Sequence, residues 1–197
     1  MKQLFLLLAL VSAAMHARAE GLKLGEPQYA GTGCPAGSAS VALSPEESTL
    51  SVLFDQYVVE AGGNGKQFDR KNCNLAIPIK IPQGYSYSII AVDYRGFVSV
   101  PRGGRAQLSV NYFLSNAPGT VRTTKSFQGP LQSDYVKNDR LGLEAIVWSP
   151  CGADTILRTN TAMLVQSNGM MDDAMATVDS IDVGTGIEYH LQWRRCN

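Results

Sequence analysis

Residues 85–94 read YSYSIIAVDY, and this stretch decides the fold class. The odd-numbered side chains from Tyr85 to Ala91 share one face and the even-numbered ones from Ser86 to Val92 share the other, because a β-strand has a period of two. Apolar residues occupy both faces towards the end of the stretch, which indicates a central strand. Residues 97–100 continue the pattern, and Gly96 predicts a β-bulge at the junction.

Similar alternating segments recur along the whole chain, bounded by Gly, Pro, Asn and Asp, and no window of a dozen residues has convincing helical periodicity. The other predicted strands cover residues 38–43, 49–60, 74–81, 107–115, 143–148, 155–166, 174–183 and 187–196. The segments 143–148 and 155–166 are expected to pair. About nine or ten short strands with little helix predict an all-β fold, an antiparallel β-sandwich of the Ig-like or jelly-roll type.

Two segments carry more specific expectations. Pro78 and Pro82 flank or interrupt the strand at 74–81, which predicts an edge strand, because proline cannot donate to a β-ladder. Residues 116–142 are polar and weakly patterned, with several Gly and Pro residues. They predict a long irregular connection that contains one short strand near residues 123–128.

The first nineteen residues have the pattern of a secretory signal peptide. Lys2 precedes an apolar run from Leu4 to Ala14, and Ala17-Arg18-Ala19 offers a small-x-small cleavage site. The run is too short to cross a bilayer, so no membrane insertion is predicted. We expect residues 1–19 to be a signal peptide and residues 20–197 to form a single secreted β-sandwich domain, extracellular or periplasmic.

The charge balance excludes one class of partner. The chain has 17 basic and 17 acidic residues, and without Lys2 and Arg18 its net charge is about −2. A protein this close to neutral has no general electrostatic attraction for nucleic acid or for anionic lipid.

Four cysteines in an exported chain predict two disulfides, because a paired thiol is the stable form in an oxidising compartment. We favour Cys34 with Cys73 and Cys151 with Cys196, since each bridge then staples neighbouring strands and closes a loop of roughly 40 to 46 residues. The main alternative joins Cys34 to Cys196. No C-x-x-C spacing is present, and His190 is the one histidine outside the signal peptide, so no metal site is predicted.

Five short motifs carry a family resemblance. They are GCPAGS at 33–38, LFDQY at 53–57, RKNCNL at 70–75, QGY at 83–85 and DYRGF at 93–97. Together they resemble a family of short secreted fungal and bacterial proteins classed as a domain of unknown function (domain of unknown function family 4360). The resemblance covers essentially the whole chain after the signal peptide. It implies a secreted, β-rich domain with cysteines at these positions, and it implies no activity, ligand or catalytic residue.

Few acidic residues or histidines are candidates for a catalytic role. His190 lies beside Glu188 and Gln192 on the polar side of a strand, and the chain lacks the G-x-S-x-G motif, so we interpret this histidine as an exposed strand residue. A glycoside hydrolase needs two carboxylates at a suitable distance, and Asp55 and Asp93 are the acids that we would mutate first.

Calcium is the one cofactor that the sequence brings into consideration. Residues 170–173, followed by Asp179 and Asp182, could offer oxygen ligands, but they lack the regular spacing of a calcium loop. We interpret them as a solvated acidic loop, and no cofactor or metal is predicted.

Basic and aromatic residues suggest binding surfaces. Arg95, Arg102 and Arg105 lie around a glycine-rich loop, where guanidinium groups could bind phosphate, sulfate or carboxylate, although a solubilising loop is the simpler interpretation. Several aromatic residues in strand-like segments could form a sugar-binding platform on an outer face if they point outwards: Tyr57, Tyr85, Tyr87, Tyr94, Tyr112 and Trp148. Alternation places Tyr85 and Tyr87 in the core.

Two classes of function follow. We favour a secreted, non-catalytic β-sandwich protein that binds a cell-surface or wall polymer or a protein partner. The alternative is a secreted carboxylate-dependent glycan hydrolase. The enzyme should place two acids in one concave pocket, whereas the binding protein should have an exposed patch lined by arginine or aromatic residues.

Overall fold

The computed structural model describes residues 21–63, 65–142, 146–178 and 186–196. Within these ranges the regular structure is all β, as the alternation predicts. The thirteen strands are β1 (Lys23–Leu24), β2 (Gln28–Ala30), β3 (Ala39–Leu43), β4 (Thr49–Phe54), β5 (Val58–Ala61), β6 (Phe68–Lys80), β7 (Tyr85–Val100), β8 (Arg105–Leu114), β9 (Val121–Gln128), β10 (Leu131–Arg140), β11 (Thr155–Gln166), β12 (Ala174–Thr177) and β13 (Ile187–Arg195).

The strands form two antiparallel sheets that pack as a sandwich, which confirms the predicted fold class. The six-stranded sheet has the order β1-β6-β11-β8-β9, with β2 also paired to β6. The seven-stranded sheet has the order β3-β4-β13-β7-β12-β5, with β10 also paired to β7. Inward-facing side chains of both sheets form the hydrophobic core, and outward-facing polar side chains leave two broad outer faces.

The central position of β7 is confirmed, but the predicted bulge at Gly96 is wrong. β7 pairs with β10 on one side and with β13 and β12 on the other. The irregularity lies opposite His190 and Leu191, which pair with Ala91 and Ile89, so Ile90 is the extra residue. Beyond Ile90 the buried face therefore passes to Val92 and Tyr94, and the predicted assignment of faces is wrong there.

Gly96 serves a different purpose, which is close packing inside an unbroken ladder. It pairs with Tyr135 of β10. The Tyr135 hydroxyl donates a hydrogen bond to the carbonyl of Thr177 at 2.8 Å. A Cβ at position 96 would lie 2.2 Å from that carbonyl oxygen and 2.7 Å from the Tyr135 hydroxyl. Glycine is required here because two chain segments approach its backbone.

Residues 116–142 contain two strands that belong to opposite sheets, so the predicted irregular connection is wrong, although its one predicted strand near 123–128 lies within β9. β9 and β10 replace it, and β9 pairs with β8 while β10 pairs with β7. The hydrophobic pattern missed β10 and the full length of β9 because their inward faces carry polar residues as well as Phe127 and Tyr135. Lys137 shows how they are accommodated: it donates to Thr123 at 2.6 Å, contacts Asp139 and lies over the Tyr94 ring.

Three further strand predictions need correction. The segment predicted as one strand at 49–60 is two strands, because the turn at Asp55 and Gln56 separates β4 from β5. Strand β6 is not at the edge of the sheet, since β1 and β2 pair with it. Pro78, which has no N–H to donate, lies between the positions that pair with these two short strands. The Pro78 carbonyl accepts a hydrogen bond from the backbone N–H of Gly25. Strand β11 pairs with β6 and β8 rather than with 143–148, whose described part contributes an isolated bridge from Trp148 to Ser88.

Parts of two predicted strands, residues 143–145 and 179–183, lie outside the described residues.

The favoured disulfide pairing is confirmed. Cys34–Cys73 joins the segment after β2 to β6, and Cys151–Cys196 joins the segment before β11 to the residue after β13. The two bridges differ in their surroundings. Cys34 and Cys73 are buried, at 0% and 1% exposure, whereas Cys151 is exposed.

Tyrosines dominate the core, which rules out most of the hypothetical aromatic platform. Tyr57, Tyr87, Tyr94 and Tyr112 are buried between the sheets, and Tyr85 is half-buried against the same core. Hydroxyl pairs tie the two sheets together: the Tyr57 hydroxyl lies 3.0 Å from Thr161 Oγ1 and that of Tyr189 lies 2.7 Å from Thr159 Oγ1. Because these hydroxyls have partners in the facing sheet, burial costs them little hydrogen bonding.

We expect the protein to lose stability above pH 10 because of these tyrosines. Burial raises the pKa of Tyr57 from 10.0 to about 12, and burial also raises the pKa of five others: Tyr87, Tyr94, Tyr112, Tyr135 and Tyr189. Above pH 10 the unfolded chain loses these protons while the folded chain keeps them. The free energy of unfolding therefore falls by about 1.4 kcal/mol per pH unit for each such tyrosine.

Urea unfolding between about pH 8 and pH 11.5, followed by circular dichroism and by phenolate absorbance, measures this loss. Phenolate absorbance of the buried tyrosines should appear only as the sheet signal disappears. Full ionisation of all tyrosines in a chain that keeps its sheet signal would contradict the expectation.

Candidate functional site

The outer face of the six-stranded sheet carries a row of amide side chains. Asn74 of β6 pairs with Asn160 of β11, Asn160 pairs with Asn111 of β8, and Asn111 pairs with Arg122 of β9. All four side chains point outwards, since their strand neighbours Leu75, Thr159 and Val110 are buried. With strands about 4.8 Å apart, the row is about 14 Å long.

This row forms the floor of a groove of about 460 Å³, which we call the amide groove. Its lining includes Arg70, Asn72, Asn74, Ser109, Asn111, Arg122, Thr124 and Asn160. Asn72 is held in place from outside the sheet, because the Thr32 hydroxyl donates to its Oδ1 at 3.3 Å and its own backbone N–H donates to Thr32 Oγ1 at 3.1 Å. The groove thus has a polar lining on a rigid, multi-stranded floor.

One groove residue has an unused hydrogen-bonding atom. Asn111 Oδ1 is buried and has no hydrogen-bond partner among the residues that the structure describes. A buried acceptor without a donor costs about 1–3 kcal/mol. A rotation of the Asn111 amide towards a ligand hydroxyl would recover this hydrogen bond, so the groove favours a ligand that is rich in donors.

Aromatic rings lie near both ends of the groove. Phe113 is half-buried and pairs with Arg158, one row beyond Asn111. Phe68 is 63% exposed and pairs with Gln166 at the other end of β6. These two rows are eight residues apart along the strands, which is about 27 Å. An exposed ring at the end of a polar groove is suited to stack on a sugar ring.

The predicted arginine cluster is dispersed between the two sheets. Arg105 lies on the same outer face as the amide groove and donates from Nε to Gln166 at 2.9 Å. Arg102 is exposed in the turn before β8. Arg95 lies on the outer face of the other sheet, 3.5 Å from Glu188. Of the three, only Arg105 shares the outer face of the groove, and it lies four residues along β8 from Ser109, outside the groove lining.

The predicted acids Asp55 and Asp93 have different surroundings. Asp55 is exposed in the turn between β4 and β5. Asp93 accepts from Asn138 at 2.6 Å and lies 3.1 Å from His190 Nε2. The side chain of His190 is 35% exposed, so this histidine is half-buried beside Asp93 and not a plainly exposed strand residue as interpreted from the sequence. Thr49 of β4 is the cross-strand partner of His190, but within the described ranges no hydrogen bond joins His190 to a hydroxyl or a thiol.

A second pocket, of about 400 Å³, lies on the seven-stranded sheet, and we call it the acid pocket. Glu60, Asp173, Phe97, Ser99, Gln132 and Met175 are among its lining residues. Both acids are exposed, and Asp173 accepts a hydrogen bond from the backbone N–H of Gly63 at 2.9 Å. Sequence reasoning did not pair Glu60 with Asp173, since residues 113 positions apart show no common pattern.

The described residues contain no group of three or more His, Cys, Asp or Glu side chains placed to hold a metal ion. In the hypothetical calcium loop, Asp172 accepts instead from Asn168 at 2.8 Å. Asp179 and Asp182 lie outside the described residues. No helix that could span a membrane occurs in the described part of the chain.

The fold and the groove define a disulfide-bonded β-sandwich protein with an open polar groove on one outer face. The chain belongs to the family described as Domain of unknown function (DUF4360), whose model matches residues 20–196, and the suspected resemblance is thereby confirmed. An uncharacterized secreted protein from Arthroderma benhamiae is 32% identical over 169 residues, which cover 85% of this chain and 69% of that protein.

Similarity to solved structures is weak. TmCBM61 in complex with beta-1,4-galactotriose has a TM-score of 0.29 and 11% identity, covering 86% of this chain and 88% of the other. The GH31 alpha-xylosidase Xac1773 from Xanthomonas citri has a TM-score of 0.20 and 9% identity, covering 89% of this chain and 20% of the enzyme. At these scores neither structure supports an argument about function.

Proposed function

We propose that this protein is a secreted, non-catalytic module that binds an extracellular polysaccharide along the amide groove. In this proposal residues 1–19 are the signal peptide and residues 20–197 form one domain. The observation that carries the proposal is the in-register row of Asn74, Asn160, Asn111 and Arg122 across four strands.

Amide side chains suit a sugar because each one offers an acceptor oxygen and two N–H donors in one plane. Adjacent hydroxyls on a pyranose present donors and acceptors in the same close pairs. The groove is open and extends about 13 Å along β6, from Arg70 to Asn74, and about 14 Å across the strands, so a short chain of sugars could lie in it. Since a sheet holds these side chains, little ordering is needed on binding.

We expect the double variant N111A/N160A to bind polysaccharide about tenfold to hundredfold more weakly. The variant removes two amides from the middle of the row, and each hydrogen bond that is lost costs about 0.5–1.5 kcal/mol. Affinity electrophoresis and co-sedimentation with a panel of wall polysaccharides measure the change. Asn138→Ala is the matched control, because Asn138 is exposed on the outer face of the other sheet.

Equal binding by the double variant and by Asn138→Ala would place the binding site elsewhere. A protein that no polymer of the panel retains would argue against polysaccharide binding.

The acid pocket favours a second candidate, a carboxylate-dependent glycan hydrolase. Glu60 and Asp173 line one concavity, which is the arrangement that the enzyme hypothesis requires. Release of reducing sugar by the protein, abolished in both Glu60→Gln and Asp173→Asn, would support the enzyme. We prefer the binding module because both acids are exposed and because Asp173 is already engaged by the Gly63 amide.

A further inference from the structure

We infer that the polysaccharide bound in the amide groove is acidic and carries carboxylate or sulfate groups along its chain. This inference rests on the proposed function and specifies its ligand. The observation behind it is the distribution of charge between the two outer faces of the sandwich.

The outer face of the six-stranded sheet is basic. In the strands of this sheet, every second residue faces the core, so the residues between them point outwards. Six outward positions carry a basic residue: Lys23, Arg70, Lys80, Arg105, Arg122 and Arg158. No outward position in the described strands of this sheet carries Asp or Glu. The opposite outer face is mixed: it carries acids at Glu60, Asp93, Asp134 and Glu188 and arginines at positions 95, 140 and 194. A nearly neutral protein thus presents one face with a positive potential.

Three arginines of the basic face are available to a ligand. Arg70, Arg122 and Arg158 are exposed, and within the described part of the chain none of them forms an ion pair. A guanidinium group binds a carboxylate or a sulfate through two parallel hydrogen bonds, which makes arginine well suited to such groups.

These arginines surround the amide row. Arg122 forms one end of it, and Arg158 lies two residues from Asn160 on the same strand, about 7 Å away. Arg70 lies four residues from Asn74 on β6, about 13 Å along the strand in the other direction. A polysaccharide in the groove would therefore meet amides along the row and a cation beyond it on either side. This alternation matches a chain whose hydroxyls are interspersed with anionic groups.

A nucleic acid is the other polyanion that a basic face could bind. Single-stranded nucleic acid is held by successive aromatic rings on which its bases stack. No aromatic residue lines the groove within the described part of the chain; beyond it lie one half-buried ring, Phe113, and one exposed ring, Phe68, about 27 Å apart along the strands. This lining favours sugar hydroxyls over stacked bases.

The experiment compares polymers that differ in charge but not in backbone. We would measure binding of the oxidised protein to polygalacturonate and its methyl ester, to dextran sulfate and dextran, and to single-stranded DNA. We expect at least one acidic member to bind at least tenfold more tightly than its neutral counterpart, and binding to weaken with salt. The variant R122Q/R158Q should lose that preference, while R140Q/R194Q, which removes two exposed arginines outside the groove, should retain it.

The other possible outcomes distinguish a failure of the acidic-ligand inference from a failure of the proposed function. Equal binding of the charged and neutral members, reduced by N111A/N160A, would overturn the acidic ligand and leave the proposed function standing. Absence of binding to every polysaccharide would overturn both. Binding of DNA as tight as that of the acidic polysaccharides, and equally weakened in R122Q/R158Q, would show a general polyanion site and overturn the inference.

Discussion

Replacing both Cys34 and Cys73 by alanine should lower the free energy of unfolding by about 4 kcal/mol or more. The bridge closes a loop with a sequence separation of 39 residues, and the chain-entropy model assigns about 4 kcal/mol to a loop of this length. Both sulfur atoms are buried, so their removal also leaves unfilled space in the core. Urea unfolding followed by circular dichroism measures the loss.

The matched control is the removal of the other disulfide. Cys151–Cys196 has a sequence separation of 45 residues, so its entropic contribution is nearly the same. Because Cys151 is exposed, its loss disturbs packing less, and we expect C151A/C196A to be the more stable double variant. If C34A/C73A proved at least as stable as C151A/C196A, burial would not distinguish the two bridges.

The second large effect is expected at Gly96. The variant Gly96→Val should lower the free energy of unfolding by about 3 kcal/mol, because the new side chain would overlap the Thr177 carbonyl and the Tyr135 ring. Relief of this overlap requires both β10 and the end of β12 at Thr177 to move away from β7. Amide hydrogen exchange should therefore quicken in β10 more than in β6 or β11, which belong to the other sheet.

Gly169→Ala is a suitable control for this variant. Position 169 has open space around its Cβ direction, so we expect less than about 0.5 kcal/mol of change. Gly96→Val with the stability of the Gly169→Ala variant would mean that the close approach of Tyr135 is not required in solution.

Local pattern was informative wherever one face of a strand is apolar and the other polar. Residues 107–114 illustrate this: Leu108, Val110, Tyr112 and Leu114 are buried as predicted, and Asn111 points outwards. The pattern failed at β9 and β10, where polar inward residues such as Thr123 and Lys137 find partners inside the sandwich. It also failed at Ile90, because a bulge depends on the register with a partner strand.

In the amide groove, too, local pattern predicted part of the arrangement and strand pairing decided the rest. The outward positions of Asn111 and Asn160 are a matter of local alternation, but sequence reasoning did not single out these residues as a site. Asparagine on the polar side of a strand is unremarkable by itself. The asparagines become a candidate site because side chains of neighbouring strands lie beside them at the same level. One of these neighbours lies on β9, which the sequence predicted only as a short strand in an irregular connection.

The sequence by itself determined the all-β class and the antiparallel sandwich, because strand periodicity is a local property of a chain. It favoured the observed pairing of the four cysteines but left the alternative bridge from Cys34 to Cys196 open. Only the tertiary structure decided which strands adjoin and in what register. Residues 70–74, 109–111, 122–124 and 158–160 come together because antiparallel pairing aligns them across four strands. Such alignment depends on hydrogen bonds and core packing between distant segments, which no single strand encodes.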